Sequence, residues 1–92
     1  MAGCKYADRP IDSIDSKHMM SVILFLHEHG PSKRMEIYEC VSRNGSMPQK
    51  FEMLKEHGII EERQLPEGTV LGLTDSGEMV ARCLQNIEEI IG

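Results

Sequence analysis

With 92 residues the chain has room for one domain, because a polypeptide of this length buries only about 60 to 65% of the surface that its unfolded form exposes. Hydrophobic residues at 40% and charged residues at 27% exclude a disordered chain. The longest apolar run, Val22 to Leu26, is far short of the roughly 18 residues that a membrane span requires. The N-terminal segment, with Asp8, Asp12 and Asp15, lacks an apolar stretch followed by a small-residue cleavage site. The expectation is a cytoplasmic protein with no membrane contact.

Residues 1–15 mix polar and charged types around Pro10 without a sustained period, and the pattern predicts a flexible arm with a turn near Ile11 to Ile14. The folded domain is expected over residues 16–92. Ser16 is the N-cap candidate of a first helix in which Met19, Val22, Ile23 and Leu26 recur at helical spacing, and Gly30 is its stop. Pro31 and Ser32 restart the chain. Ile37, Tyr38 and Val41 mark the apolar face of a second helix of about ten residues, ending before the turn dipeptide Asn44-Gly45. Ser46 and Gln49 fit the capping box S-x-x-Q of a third helix, about 47–57, with Pro48 tolerated in its first turn and Phe51 and Leu54 facing inward. Two short helices joined by a tight turn are the core of a helix-turn-helix.

Beyond Gly58 the character changes. Ile59 to Gln64 is a predicted strand, Leu65-Pro66-Glu67-Gly68 a turn, and Thr69 to Leu73 a returning strand. Thr74 or Asp75 then caps a last helix, about 75–91, with Glu78 in its first turn. The expected fold is mainly α with one small β-hairpin, in the order helix, helix, helix, hairpin, helix.

Phe51-x-x-Leu54-x-x-x-Gly58-Ile59-Ile60-Glu61 resembles the end of a recognition helix running into a first wing strand. Leu73-Thr74-x-x-Gly77 resembles the junction between the second wing strand and the last helix. Over roughly Ser16 to Ile91 the chain is similar to prokaryotic winged helix-turn-helix regulators, especially the small archaeal type with a long C-terminal helix. The resemblance implies a transcriptional regulator that reads the DNA major groove with helix 3.

Three cysteines, Cys4, Cys40 and Cys83, are an odd number without C-x-x-C spacing, which argues against both a disulfide framework and a zinc ribbon. His27 and His29 form an H-x-H pair that can in principle ligate a metal together with His57 or His18. The preferred reading places His27, His29 and His57 in the last turns of helices, where partial positive charge complements the helix dipole. No cofactor and no metal are expected. The chain shows no Ser/His/Asp or Cys/His order, no Gly-rich phosphate loop and no metal motif, so no catalytic residue is assigned and an enzyme is not expected.

The net charge of −5 opposes nucleic-acid binding, but its distribution does not. Residues 1–31 carry −1, residues 32–57 carry +1 and residues 58–92 carry −5. The helix-turn-helix is the one positive stretch, and Lys33, Arg34, Arg43 and Lys50 are its phosphate candidates, with Lys55 nearby. Viewed down helix 3 at about 100° per residue, Gln49 lies nearly opposite the Phe51/Leu54 face and is the candidate base reader, with Ser46, Lys50 and Met53 beside it. The competing role for Gln49 is its own capping box. The hairpin, with Glu61, Glu62 and Glu67 against Arg63, makes a wing phosphate contact doubtful, and helix 3 also carries Glu52 and Glu56. Double-stranded DNA is the expected partner. The alternative is a winged-helix protein-protein interaction module that does not bind DNA and uses its acidic hairpin or last helix to hold a protein.

In the last helix Val80, Leu84, Ile87 and Ile91 follow one another at steps of four, three and four, with Cys83, Ile87 and Ile90 in a second stripe beside it. One domain does not easily cover both stripes. The expectation is a homodimer through Val80, Cys83, Leu84, Ile87, Ile90 and Ile91.

Overall fold

The computed structural model describes residues 9–92. Cys4, Asp8 and the first half of the predicted arm lie outside the described residues. Within the remainder of that arm, Pro10–Ile14 form a short 3-10 helix, opened by the Arg9 N–H donating to Asp12 Oδ2 at 3.0 Å. Ile14 is 9% exposed and belongs to the core, so packed structure begins earlier than the sequence pattern indicated.

Four α-helices and a two-stranded antiparallel sheet follow: α1 (Met19–His29), α2 (Arg34–Cys40), α3 (Met47–Glu56), β1 (Ile60–Leu65), β2 (Gly68–Leu73) and α4 (Asp75–Ile91). The expected order and fold class are observed. Met19, Val22, Ile23 and Leu26 of α1 are all buried, as their spacing requires. Gly30 ends α1 at φ +79°, a backbone that favours glycine. The start of α1 differs from expectation. The N-cap is His18 at φ +73°, not Ser16, whose backbone carbonyl instead accepts from the Met19 N–H at 3.1 Å.

Helix α2 has seven residues rather than about ten, and Ile37 is its one fully enclosed side chain. Helix α3 contributes Met47, Phe51 and Leu54 to the core. Burying side chains of this size contributes about 1.5 to 3 kcal/mol each. The Ser46/Gln49 capping box does not form. Asn44 takes its place: Asn44 Oδ1 accepts from both the backbone N–H and the hydroxyl of Ser46, each at 2.9 Å. An Asx turn thus leads into α3, consistent with the competition of short polar side chains for local backbone donors.

The hairpin runs from Ile60 opposite Leu73 to Leu65 opposite Gly68, closed by Pro66 and Glu67, so its strands reach further toward the tip than expected. Ile60, Leu71 and Leu73 face the core. A third short rung comes from the loop between α1 and α2. The Ser32 N–H donates to the Leu71 carbonyl at 2.9 Å, and the Leu71 N–H to the Ser32 carbonyl at 2.8 Å. Ser32 is buried, and its hydroxyl donates to the Gly30 carbonyl. This bridge fixes the hairpin against the start of α2.

Helix α4 packs on α1 and β2. Thr74 is its N-cap: the hydroxyl oxygen accepts from the Gly77 N–H at 3.0 Å and its proton goes to the Gly58 carbonyl. Gly77 is buried because α4 crosses the chain closely there; a Cβ built on it falls 2.0 Å from the Ile59 carbonyl oxygen. His27 Nδ1 lies 3.3 Å from Glu78 Oε2 and joins the end of α1 to the first turn of α4. Ala81 and Leu84 are buried and Val80 is half-buried, whereas Cys83, Ile87, Ile90 and Ile91 are exposed. Among the described residues no helix is long and apolar enough to cross a membrane.

Candidate nucleic-acid interface

The Ser32–Leu71 bridge and the packing of α3 on β1 bring the start of α2, the outer side of α3 and the hairpin onto one face. An ion-pair network crosses that face. Arg34 Nη2 lies 3.0 Å from Glu62 Oε2, and Lys55 Nζ lies 3.4 Å from the other carboxylate oxygen of Glu62 and 2.7 Å from Glu52 Oε2. The Arg34 guanidinium also sits 5.7 Å from the centre of the Phe51 ring, which stacks in turn on Tyr38 at 5.8 Å. Arg34 is thus held from below by an aromatic ring and from the side by a carboxylate. The Lys55 ammonium is raised above its ordinary pKa, first by its hydrogen bond to Glu52 and further by the charges of Glu52 and Glu62, against partial desolvation.

The residues expected to meet DNA fall into two groups. Lys33 and Arg43 are exposed and make no ion pair within the described residues. Lys33 stands at the N-cap of α2, where its backbone N–H donates to Glu36 Oε1 at 2.9 Å, and its side chain leans toward Gly68 at the hairpin tip. Arg43 lines a shallow depression with Tyr38, Asn44, Gly45 and Pro48 at the turn between α2 and α3. Arg34 and Lys50, by contrast, have partners inside the chain: Arg34 as above, and Lys50 through Nζ donating to the Lys17 carbonyl ahead of α1.

On α3, Gln49 and Met53 are exposed and Ser46 is half-buried. Because Asn44 satisfies the Ser46 N–H, the Gln49 amide is not committed to the helix end. The same outer side carries Glu52 and Glu56. In the hairpin, Arg63 is turned back on the sheet, with Nε 2.9 Å from Glu61 Oε2 and Nη2 donating to the Leu73 carbonyl at 2.7 Å. Its guanidinium lies flat across Gly72, where a Cβ would approach Arg63 Cζ to 2.9 Å. The sole wing cation is therefore spent on the sheet.

The histidines are distributed among packing roles. His29 stacks on Phe25 at 4.4 Å between ring centres, His27 pairs with Glu78, and His57 is the C-cap of α3. Among the described residues no group of three or more His, Cys, Asp or Glu is placed to hold a metal ion. The sequence placed Glu62 in the hairpin and Asn44 in a turn, but not the part Glu62 plays in the ion-pair network or the part Asn44 plays at the start of α3. Asn44 had a local signal, an Asx residue two positions before the helix cap. Glu62 had none, since its partner Arg34 is 28 residues away.

A helix-turn-helix whose second helix leads directly into a β-hairpin, with a third rung from the preceding loop, is a winged helix. A solved structure of MarR has a similar fold: the TM-score is 0.69 at 24% sequence identity, over 86% of this chain. The chain spans 57% of the length of that MarR chain. No protein-family model and no curated protein matches the sequence.

Proposed function

We propose that this protein is a DNA-binding transcriptional regulator that acts as a homodimer, with α3 entering the major groove. The observation that carries this reading is the convergence of the start of α2, the outer side of α3 and the hairpin on one face, within a winged-helix fold shared with MarR. That face offers what groove binding needs. Lys33, at the start of α2, and Arg43, in the turn before α3, are free to meet phosphates, and the exposed Gln49 amide is free to bond adenine through two hydrogen bonds. Arg34, Ser46, Lys50 and Met53 surround them.

The dimer rests on α4. Ala81 and Leu84 turn into the chain's own core, which removes Leu84 from any surface seam, while Ile87, Ile90 and Ile91 are 48, 83 and 80% exposed. Three exposed isoleucines within five residues of one helix end are an apolar patch of the kind that marks an interface. A second copy of the same helix covers it most simply, since a two-fold contact needs only a self-complementary patch.

The test is fluorescence anisotropy with duplex DNA over a salt series, preceded by selection of bound genomic fragments to find a preferred sequence. Expected is an affinity that falls linearly with log salt concentration and a preferred site that outcompetes mixed-sequence duplex. No binding at about 50 mM salt would overturn the reading and leave the protein-interaction module in its place.

A further inference from the structure

We propose that Glu62 is a built-in phosphate mimic: its carboxylate holds Arg34 and Lys55 across the interface face and so lowers the affinity of the domain for duplex DNA of any sequence. This rests on the DNA-binding reading above and concerns the same face.

The geometry is that of a phosphate between two cations. The two carboxylate oxygens of Glu62 go to different partners, Oε2 to the Arg34 guanidinium at 3.0 Å and Oε1 to the Lys55 ammonium at 3.4 Å. The three residues come from α2, β1 and α3, so the contact forms only where the elements that would straddle a DNA backbone meet. The Arg34 guanidinium also sits over the Phe51 ring, 5.7 Å from its centre. The other wing carboxylates are placed differently. Glu61 is taken by Arg63 on the opposite side of the sheet, and Glu67 stands at the hairpin tip without an ion pair among the described residues.

Stability does not account for the network. All three side chains are partly exposed, at 39% for Arg34, 42% for Glu62 and 24% for Lys55, and ion pairs so exposed contribute little to folding. Their function is better sought in competition: a DNA phosphate can claim Arg34 only by displacing Glu62, and Lys55 only by displacing Glu62 and Glu52 together. Sequence-independent binding comes from phosphate contacts, so an internal anion on two of the few cations of this face suppresses it. Contacts made by Gln49 to base edges are untouched, so the mimic lowers affinity for every sequence and leaves the preference read by Gln49 unchanged.

The experiment measures binding of a labelled mixed-sequence duplex of about 30 base pairs at several salt concentrations, for the wild-type chain, Glu62→Gln and Glu67→Gln. The two variants change net charge equally, but only the first releases Arg34 and removes one of the two carboxylates that hold Lys55. Expected for Glu62→Gln is a salt slope steeper by about 1 for each cation freed. Its affinity gain over wild type should then grow about 3.5-fold per freed cation between about 200 and 50 mM salt. Glu67→Gln should keep the wild-type slope, and Arg34→Gln placed in the Glu62→Gln background should abolish most of the gain. Glu62→Ala serves as the second removal, with circular dichroism to verify folding of every variant. Wild-type binding with an unchanged slope in folded Glu62→Gln and Glu62→Ala overturns this inference alone, as does a gain that Glu67→Gln reproduces. Absence of binding by all the proteins overturns the DNA-binding reading and the inference with it.

Discussion

Replacing Gly77 by alanine tests whether the close crossing of α4 over the β1 entrance holds the domain together. The added Cβ falls 2.0 Å from the Ile59 carbonyl oxygen and 3.1 Å from Leu73 Cδ2, where ordinary contacts begin at 3.4 Å. The nearest obstacle is backbone, so α4 must move away by more than an ångström. That movement strains the Thr74 N–H bond to the Ile59 carbonyl and the Thr74 cap on the Gly77 N–H. Losing the cap and one backbone bond costs about 1 kcal/mol each, and overpacking adds about 1 to 3 kcal/mol. The higher helix propensity of alanine offsets about 1 kcal/mol. The net expectation is a loss of about 2 to 4 kcal/mol, a fall in Tm of at least roughly 8 °C for a domain this small. Urea and thermal denaturation followed by far-UV circular dichroism read it directly. Gly45→Ala is the control, because no atom lies within 4 Å of its built Cβ. A Gly77→Ala protein as stable as wild type would refute the reasoning.

Three further outcomes follow from the same structure. Ile87→Asp and Ile90→Asp should convert a dimer to monomers in sedimentation equilibrium at micromolar concentration without unfolding the chain, since both side chains are exposed; a monomeric wild type would end the dimer reading. Lys33→Ala and Arg43→Ala should each weaken binding to every DNA sequence and reduce the salt slope by about 1, whereas Gln49→Ala should relax preference at one base pair by about 1 to 3 kcal/mol. Indifference to all three substitutions would remove this face as the interface. Lys55 is held above its ordinary pKa in the folded chain, first by its hydrogen bond to Glu52. Whatever its ion pairs add to stability is present below the ordinary lysine pKa and is lost as pH rises through the raised folded-state value, and at this exposure the amount is small. The direct check is the Lys55 ammonium titration followed by NMR, which should move down toward its ordinary value in Glu52→Gln; an unchanged titration would contradict the Glu52 hydrogen bond.

The sequence carried the order of elements because its strongest signals are local. Met19, Val22, Ile23 and Leu26 repeat at the helical period, Gly30 marks its helix end, and the β-formers around Pro66-Glu67 mark the hairpin. The Leu73-Thr74-x-x-Gly77 motif was visible in the same way, although its two reasons, a cap and a backbone crossing, are separate physical facts. Where several local solutions compete, the sequence did not choose among them. Ser16 and Ser46 are both good caps on paper, yet His18 begins α1 and Asn44 satisfies Ser46, because neighbouring donors and acceptors compete within a few residues.

Contacts between distant residues were decided by the tertiary structure alone. Ser32 pairs with Leu71, Arg34 with Glu62 and Lys50 with the Lys17 carbonyl across sequence separations that no periodicity encodes. The same holds for α4: its heptad-like spacing was plain, but which half faces α1 and which faces outward depends on where the helix leaves the body of the domain. A sequence therefore determines the faces of its helices, which follow from a fixed angle per residue, and leaves the use of each cation open. That use depends on which carboxylate the fold brings within about 4 Å, and here the fold brings Glu62 to Arg34 and Lys55 while leaving Lys33 and Arg43 free.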